Sequence, residues 1–323
     1  MRKISYSEAI KEAIEQMMEK DEKVFLIGQG VTSPWFVGNT TAGLVEKFGE
    51  KRVIDTPVSE NAITGFAVGA ALAKMKPVLV CPRLDFMYLA FDQIINQAAN
   101  WHYMFGGKVN VPLTIRGIIN RGGEQAAQHS QAIQAIFSHI PGLKVVMPST
   151  PYDAKGLLIS AILDGNPVIY IDDRWLYETE GEVPEELYQV PIGKGKILKQ
   201  GKDVTVAAVS YMVPEALKAA EELEKSSISV EVVDLRTIKP LDEKLILDSV
   251  KKTKRLVVAD TGWEAFGISA EIAKRVYNNL YKELKASIEI VALPDVPAPA
   301  SCALEKEYYP TAKNIISAVK RIV

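Results

Sequence analysis

Short, almost uninterrupted apolar runs alternate along the first half of the chain with stretches whose apolar residues recur at helical spacing. The runs at 24–27, 77–81, 112–116, 144–147 and 167–171 predict strands. Between them the spacing predicts helices at about 41–48, 62–74, 86–103, 130–137 and 151–163, and near the N-terminus Ile10, Ala13, Ile14 and Met17 share one face of a further helix. Strands that are apolar throughout and separated by helices belong to parallel sheets covered on both faces. Ligands of such sheets sit beyond the carboxyl ends of the strands, and Glu60, Arg83, Arg116 and the Gly122-Gly123 loop all fall at those ends or just after them.

The rhythm stops between 176 and 202, where Glu, Pro, Gly and Lys dominate, and then resumes. Strands are predicted at 203–209, 229–234, 255–259 and 287–292, and helices at 214–225, 242–251, 265–280 and 310–322. The expected architecture is α/β: two parallel-sheet domains, at 1–175 and 203–323, joined by a linker at 176–202.

Charge narrows the partners. The chain has 323 residues, 38 Lys and Arg against 40 Asp and Glu, and a net charge of -2, so nothing in it marks a nucleic-acid or membrane surface. A small-molecule substrate is expected. No run of 18 apolar residues occurs, and the N-terminal helix lacks the apolar core of a signal peptide. Cys81 and Cys302 have no metal-ligand spacing and read as free, at least partly buried thiols, which together predicts a reducing, cytoplasmic location.

Candidate chemistry concentrates in the segment TPVSENAITGFAVGAALA at 56–73 and the tetrapeptide Gln128-His129-Ser130-Gln131. Pro57 precedes the helix, Ser59 suits its N-cap, and Glu60 falls in the first turn, where a carboxylate is favoured by the helix dipole. A capping role would explain Glu60, but not a helix built from Ala and Gly, which lets a backbone or a flat ligand approach closely. His129, in a Gly- and Gln-rich loop, reads either as an ordinary exposed histidine or as a proton-transfer group near neutral pH.

These segments, with FDQIIN at 91–96, HIPGLKVVMPSTPYDAKGLL at 139–158, GKDVT at 201–205 and EVVDLRTIKPLD at 231–242, resemble the β chain of the thiamine-diphosphate-dependent 2-oxo acid dehydrogenases, in order and over nearly the whole length. The resemblance implies a transketolase-like pyrimidine-binding domain followed by a transketolase C-terminal domain. It implies that Glu60 faces the pyrimidine ring nitrogen of the cofactor and stabilises its imino tautomer, that Phe86 stacks on that ring, and that His129 exchanges protons with the substrate. A monovalent cation, potassium, is carried over to the carbonyls of Leu113, Ala161, Ile162, Asp164 and Asn166, although Asp164-Gly165-Asn166-Pro167 also reads as a plain helix-to-strand turn.

The Gly-Asp-Gly motif followed some thirty residues later by Asn, which holds magnesium and diphosphate, is absent from the chain. The resemblance therefore implies a separate α chain that carries Mg2+, in an α2β2 heterotetramer, and a lipoyl acyltransferase as a further partner. Departures at Val80-Cys81-Pro82-Arg83-Leu84-Asp85, at Ala300 and at Asp260-Thr261 mark a divergent branch. Arg83 and Arg121, on segments brought to the cofactor, are candidates for gripping an anionic substrate group. The expected function is oxidative decarboxylation of a 2-oxo acid with acyl transfer to lipoyl. Alternatives are a split transketolase-like transferase moving a two-carbon or acyl unit to a small acceptor, and a non-catalytic subunit.

Overall fold

A computed structural model describes all residues from Met1 to Val323. Its main sheet has seven strands, in spatial order Thr237–Lys239, Lys144–Val146, Val168–Asp173, Thr114–Ile119, Lys76–Cys81, Val24–Gly28 and Val53–Asp55. All neighbours are parallel except the first pair, in which a short strand from the second half of the chain runs antiparallel to Lys144–Val146. A second sheet of five strands runs Glu289–Leu293, Leu256–Trp263, Val204–Ala208, Val230–Asp234 and Lys196–Lys199, with only the last antiparallel. The fold is α/β with two mostly parallel sheets, as the apolar strand pattern predicts. No helix is long and apolar enough to cross a membrane.

Several expected elements shift for identifiable reasons. The strand expected at 112–116 spans Thr114–Ile119, because Pro112 cannot donate to a ladder and the apolar run continues to Ile119. The helix expected at 130–137 is confined to Gln134–His139, leaving His129 in an irregular loop. The single helix expected at 86–103 is three pieces: a tight 3-10 turn at Leu84–Ala90, a wide π-helical stretch at Asp92–Ala98 and an α-helix at Ala99–Met104. Close packing accounts for the first piece. A Cβ on Gly117 would lie 2.5 Å from Leu84 and 2.7 Å from the Met87 sulfur, so only glycine in that central strand lets the turn seat there.

The stretch 176–202 is not featureless. Glu180–Val183 pairs antiparallel with Arg2–Ser5, and Lys196–Lys199 edges the second sheet. One apolar core runs from Phe25 and Leu79 in the main sheet to Val258 and Ile272 in the second half of the chain. Polar contacts also cross between the halves: the Ser149 hydroxyl donates to the buried Asp234, and Arg236 pairs with Asp153 at 2.6 Å. The two thiols are free, Cys81 buried as expected and Cys302 exposed, because the Cys302–Tyr308 helix lies on the surface there.

Candidate active site

Three consecutive features of the sequence bring the candidate groups to the carboxyl edge of the main sheet. The helix Glu60–Leu72 begins shortly after the strand Val53–Asp55, and Glu60 occupies its first position. Ser59 stands at the N-cap but its side chain makes no capping hydrogen bond, contrary to the expectation from sequence, since its backbone angles (φ -162°, ψ 69°) lie outside the usual cap geometry. Glu60 is 6% exposed, and its carboxyl group forms no hydrogen bond or ion pair with the rest of the chain. Burial, and then the Glu60 charge, push the Cys81 thiol up to about 12.

The small residues of this helix serve two ends. A Cβ on Gly65 would sit 3.3 Å from the Gln93 side chain, so this face admits the Asp92–Ala98 helix. The opposite face is open, with Ala62 and Gly69 exposed and Phe66 56% exposed. Nearby segments add Leu89, Tyr103 and Met104, each more than half exposed, which is an unusual amount of apolar surface for a free-standing chain.

Phe86, half-buried, follows the strand Lys76–Cys81 and meets the imidazole of His129 edge-on, with ring centroids 5.5 Å apart and planes at 81°. His129 sits on a strained loop after Thr114–Ile119, in which Glu124 and Ala126 adopt positive φ (61° and 58°) beside Gly122 and Gly123. Such angles in non-glycine residues persist where the surroundings enforce them, and functional sites collect them. The backbone N–H of Gln131 donates to Asp85 at 3.1 Å, and the Tyr88 hydroxyl donates to the Gln131 side chain at 3.0 Å. Asp85 is buried, with its second carboxyl oxygen unpartnered, and burial pushes its pKa above the usual carboxylate range against the opposing pull of Gln131 and His129. Sequence reasoning passed over Asp85, although its place beside Phe86 was the available signal.

The arginines separate into three environments. Arg116 is fully buried and structural: its Nε and Nη2 donate to the two oxygens of Asp172 at 2.9 and 2.8 Å, with Thr40 and Tyr177 completing the set. Arg121, 1% exposed at its side chain, pairs with Asp173 at 2.9 Å and is enclosed by the rings of Trp175, Tyr211 and Tyr309. Arg83 is half-buried, lies over the Trp35 ring at 5.8 Å and has no carboxylate partner. The expected cation ligands Leu113, Ala161, Ile162, Asp164 and Asn166 lie towards the other end of the sheet, around the end of the helix Pro151–Leu163, where the Leu113 carbonyl already accepts the Val168 N–H at 3.0 Å and the Ala161 carbonyl the Asp164 N–H at 3.3 Å. The Asp164 carboxylate there is held by Lys144, while the buried Asn166 Oδ1 has no partner.

Family models agree with this architecture. Residues 2–179 match the transketolase pyrimidine-binding domain and residues 193–315 the transketolase C-terminal domain. Over 330 aligned positions the chain is 46% identical to the β subunit of acetoin:2,6-dichlorophenolindophenol oxidoreductase of Cupriavidus necator, covering 99% of this chain and 97% of the relative. It is 44% identical to the pyruvate dehydrogenase E1 component subunit beta of Rickettsia felis, covering 99% and 98%. The chain belongs to the β subunits of the thiamine-diphosphate-dependent 2-oxo acid dehydrogenases. A solved split-gene transketolase, described as an inactive β4 tetramer, shares the fold of this family member with a TM-score of 0.78 and 24% identity over 99% of this chain and 98% of that one.

Proposed function

We propose that the chain is the β half of a decarboxylating active site completed by an α chain, with the division at 1–175, 176–202 and 203–323 separating its pyrimidine-binding domain, linker and C-terminal domain. The observation that carries the reading is Glu60: a carboxyl group buried at a helix start and left without a partner in its own chain is poised for a ligand. The thiamine diphosphate cofactor, when bound, supplies the electron sink for cleaving the bond beside a carbonyl. Glu60 would hold a proton at the pyrimidine ring nitrogen, and Phe86 would offer its ring face to the same heterocycle. His129, set edge-on against Phe86, would donate or accept the substrate proton. Arg83 would meet an anionic substrate group, while Arg121, beside Asp173 at 2.9 Å, would fix the approach of the loop that carries His129.

The missing Gly-Asp-Gly and Asn elements assign Mg2+ and diphosphate to the α chain, and the exposed apolar face around Phe66 and Leu89 supports an α2β2 heterotetramer. The unpartnered Asn166 Oδ1 supports a potassium ion at Leu113, Ala161, Ile162, Asp164 and Asn166, since a helix carboxyl end favours a cation. A lipoyl acyltransferase would take the acyl group, and the location proposed for the assembly is the cytoplasm. Relatives at 44–46% identity favour this reading over a split transferase, and the edge-on contact of Phe86 with His129, together with a partnerless Glu60 at a helix start, favours it over a non-catalytic subunit.

The test is reconstitution. Full-length chain mixed with a matching α chain, thiamine diphosphate and Mg2+ is expected to reduce 2,6-dichlorophenolindophenol with pyruvate or acetoin, and neither chain alone to do so. Full activity of this chain alone would sink the two-chain reading.

A further inference from the structure

The loop that carries His129 belongs to the first half of the chain, yet two carboxyl groups of the second half hold it. Before His129, the backbone N–H of Glu124 donates to Glu305 Oε1 at 3.1 Å, and the Glu124 carboxyl group in turn accepts the backbone N–H of Cys302 at 3.3 Å. After His129, Gln134 Nε2 donates to Asp260 Oδ1 at 2.8 Å and to the Thr261 hydroxyl at 3.3 Å. His129 lies midway along the chain between these two attachments.

The first attachment fixes a backbone that nothing else would fix. Glu124 is exposed and holds φ at 61°, with Gly123 at 63° before it and Ala126 at 58° after it. An exposed residue gains little from packing, so a left-handed backbone there persists only where specific bonds enforce it. Glu305, buried on the helix Cys302–Tyr308, supplies such a bond, and a carboxyl acceptor is a strong one.

The second attachment is enclosed. Gln134 and Asp260 are both buried, and Asp260 Oδ1 also accepts the Gly262 N–H at 3.0 Å. A Cβ on Gly262 would lie 2.6 Å from Gln134 Nε2 and 3.1 Å from the Ala132 carbonyl oxygen. Only glycine therefore lets the strand Leu256–Trp263 come this close to the segment that leaves His129. Asp260-Thr261, which departs from the family in sequence, supplies both acceptors of Gln134. A contact needed only to dock the two halves could fall anywhere on their boundary, as Ser149–Asp234 and Arg236–Asp153 do. These two bracket one imidazole.

We propose that Glu305 and Asp260 are positioning residues for His129: the second half of the chain sets where the imidazole stands by fixing its loop before and after it. Asp85 ties the same loop to the turn that carries Phe86. The inference rests on the reading of His129 as the proton-transfer group, and it deepens that reading by making both halves of the chain builders of the site.

Two measurements test it. In the full-length chain alone, the Hε1 NMR signal of His129, identified by its loss in His129→Ala, is expected to move in Glu305→Ala and in Asp260→Ala. It is expected to stay in place in Glu305→Gln and Asp260→Asn, which keep an acceptor oxygen, and the His102 signal to stay in place throughout. The two alanine variants approach the loop from opposite sides, so one that fails to fold leaves the other to decide. In the enzyme reconstituted with its α chain, Glu305→Ala is expected to lower kcat by about 10–100-fold with KM within about threefold of wild type, and Glu305→Gln to restore most of the loss. Added to His129→Ala, the same Glu305→Ala change should cost less than about twofold, because no imidazole is left for it to act through. An unmoved His129 signal in the alanine variants, or losses from Glu305→Ala and His129→Ala that multiply, would overturn the proposal. The NMR measurement needs neither α chain nor cofactor. An inactive reconstituted enzyme therefore counts against the decarboxylation reading and not against the positioning, and an unmoved signal does the reverse.

Discussion

The carboxyl group of Asp85 accepts the backbone N–H of Gln131 at 3.1 Å, tying the turn that presents Phe86 to the loop that presents His129. The two rings meet at 5.5 Å because these two backbones are held together, one after the strand Lys76–Cys81 and the other after Thr114–Ile119. A loop with two non-glycine residues at positive φ would relax without such a tie.

Asp85→Ala is therefore expected to lower kcat of the reconstituted enzyme by about 10–100-fold through misplacement of His129, while the far-ultraviolet circular dichroism stays that of the wild type. Asp85→Asn keeps an acceptor oxygen for Gln131 and should retain most activity. Equal losses in the two variants would assign the effect to the proton on Asp85 rather than to its hold on the loop.

Glu60 sets function against stability. Glu60 is little exposed and its carboxyl group has no partner in its own chain, and active sites commonly retain such residues at the expense of stability. Glu60→Leu should raise the melting midpoint of the isolated chain by about 2 °C, the equivalent of about 1 kcal/mol in a protein of this size. The same change should slow the reconstituted reaction by at least about 10²-fold. A variant that melts lower and works normally would return Glu60 to a helix-end role.

The alternation of apolar strands and helices was legible because strands buried on both faces are largely apolar, as in Val24–Gly28, where every residue is buried. The short strands Val53–Asp55 and Thr237–Lys239 were not legible. Three residues give no period, and the second finds its partner, Lys144–Val146, some ninety positions earlier. Phe86, Glu60 and His129 stood out through a family resemblance and local chemistry. Asp85 did not, because what distinguishes it is its burial and its hold on Gln131, both properties of the folded chain. Arg121 and Arg83 looked alike in sequence, each near a strand end. Only the fold shows that one is matched by Asp173 and the other by no carboxylate.

The contact between the halves of the chain carries its own pH dependence. Asp234 ends a strand of the second sheet, receives the Ser149 hydroxyl and the backbone N–H of Arg236, and lies near the Arg236–Asp153 pair. Burial, followed by the charge of Asp153, pushes its pKa up to about 7, whereas an unfolded Asp titrates near 3.9. Between those values the folded chain binds a proton that the unfolded chain does not. The stability from this group is then greatest below about pH 4, falls as pH rises to about 7, and is level beyond. Asp234→Asn removes the titrating group while keeping an acceptor oxygen for one of its two donors, since Ser149 and the Arg236 N–H use different carboxyl oxygens. In urea unfolding of the full chain, the variant should gain on the wild type between pH 5 and pH 7.5 by the equivalent of at least one pKa unit, about 1.4 kcal/mol. A difference between the two proteins that does not change with pH would mean that Asp234 is ionised throughout and stabilised by Arg236 instead.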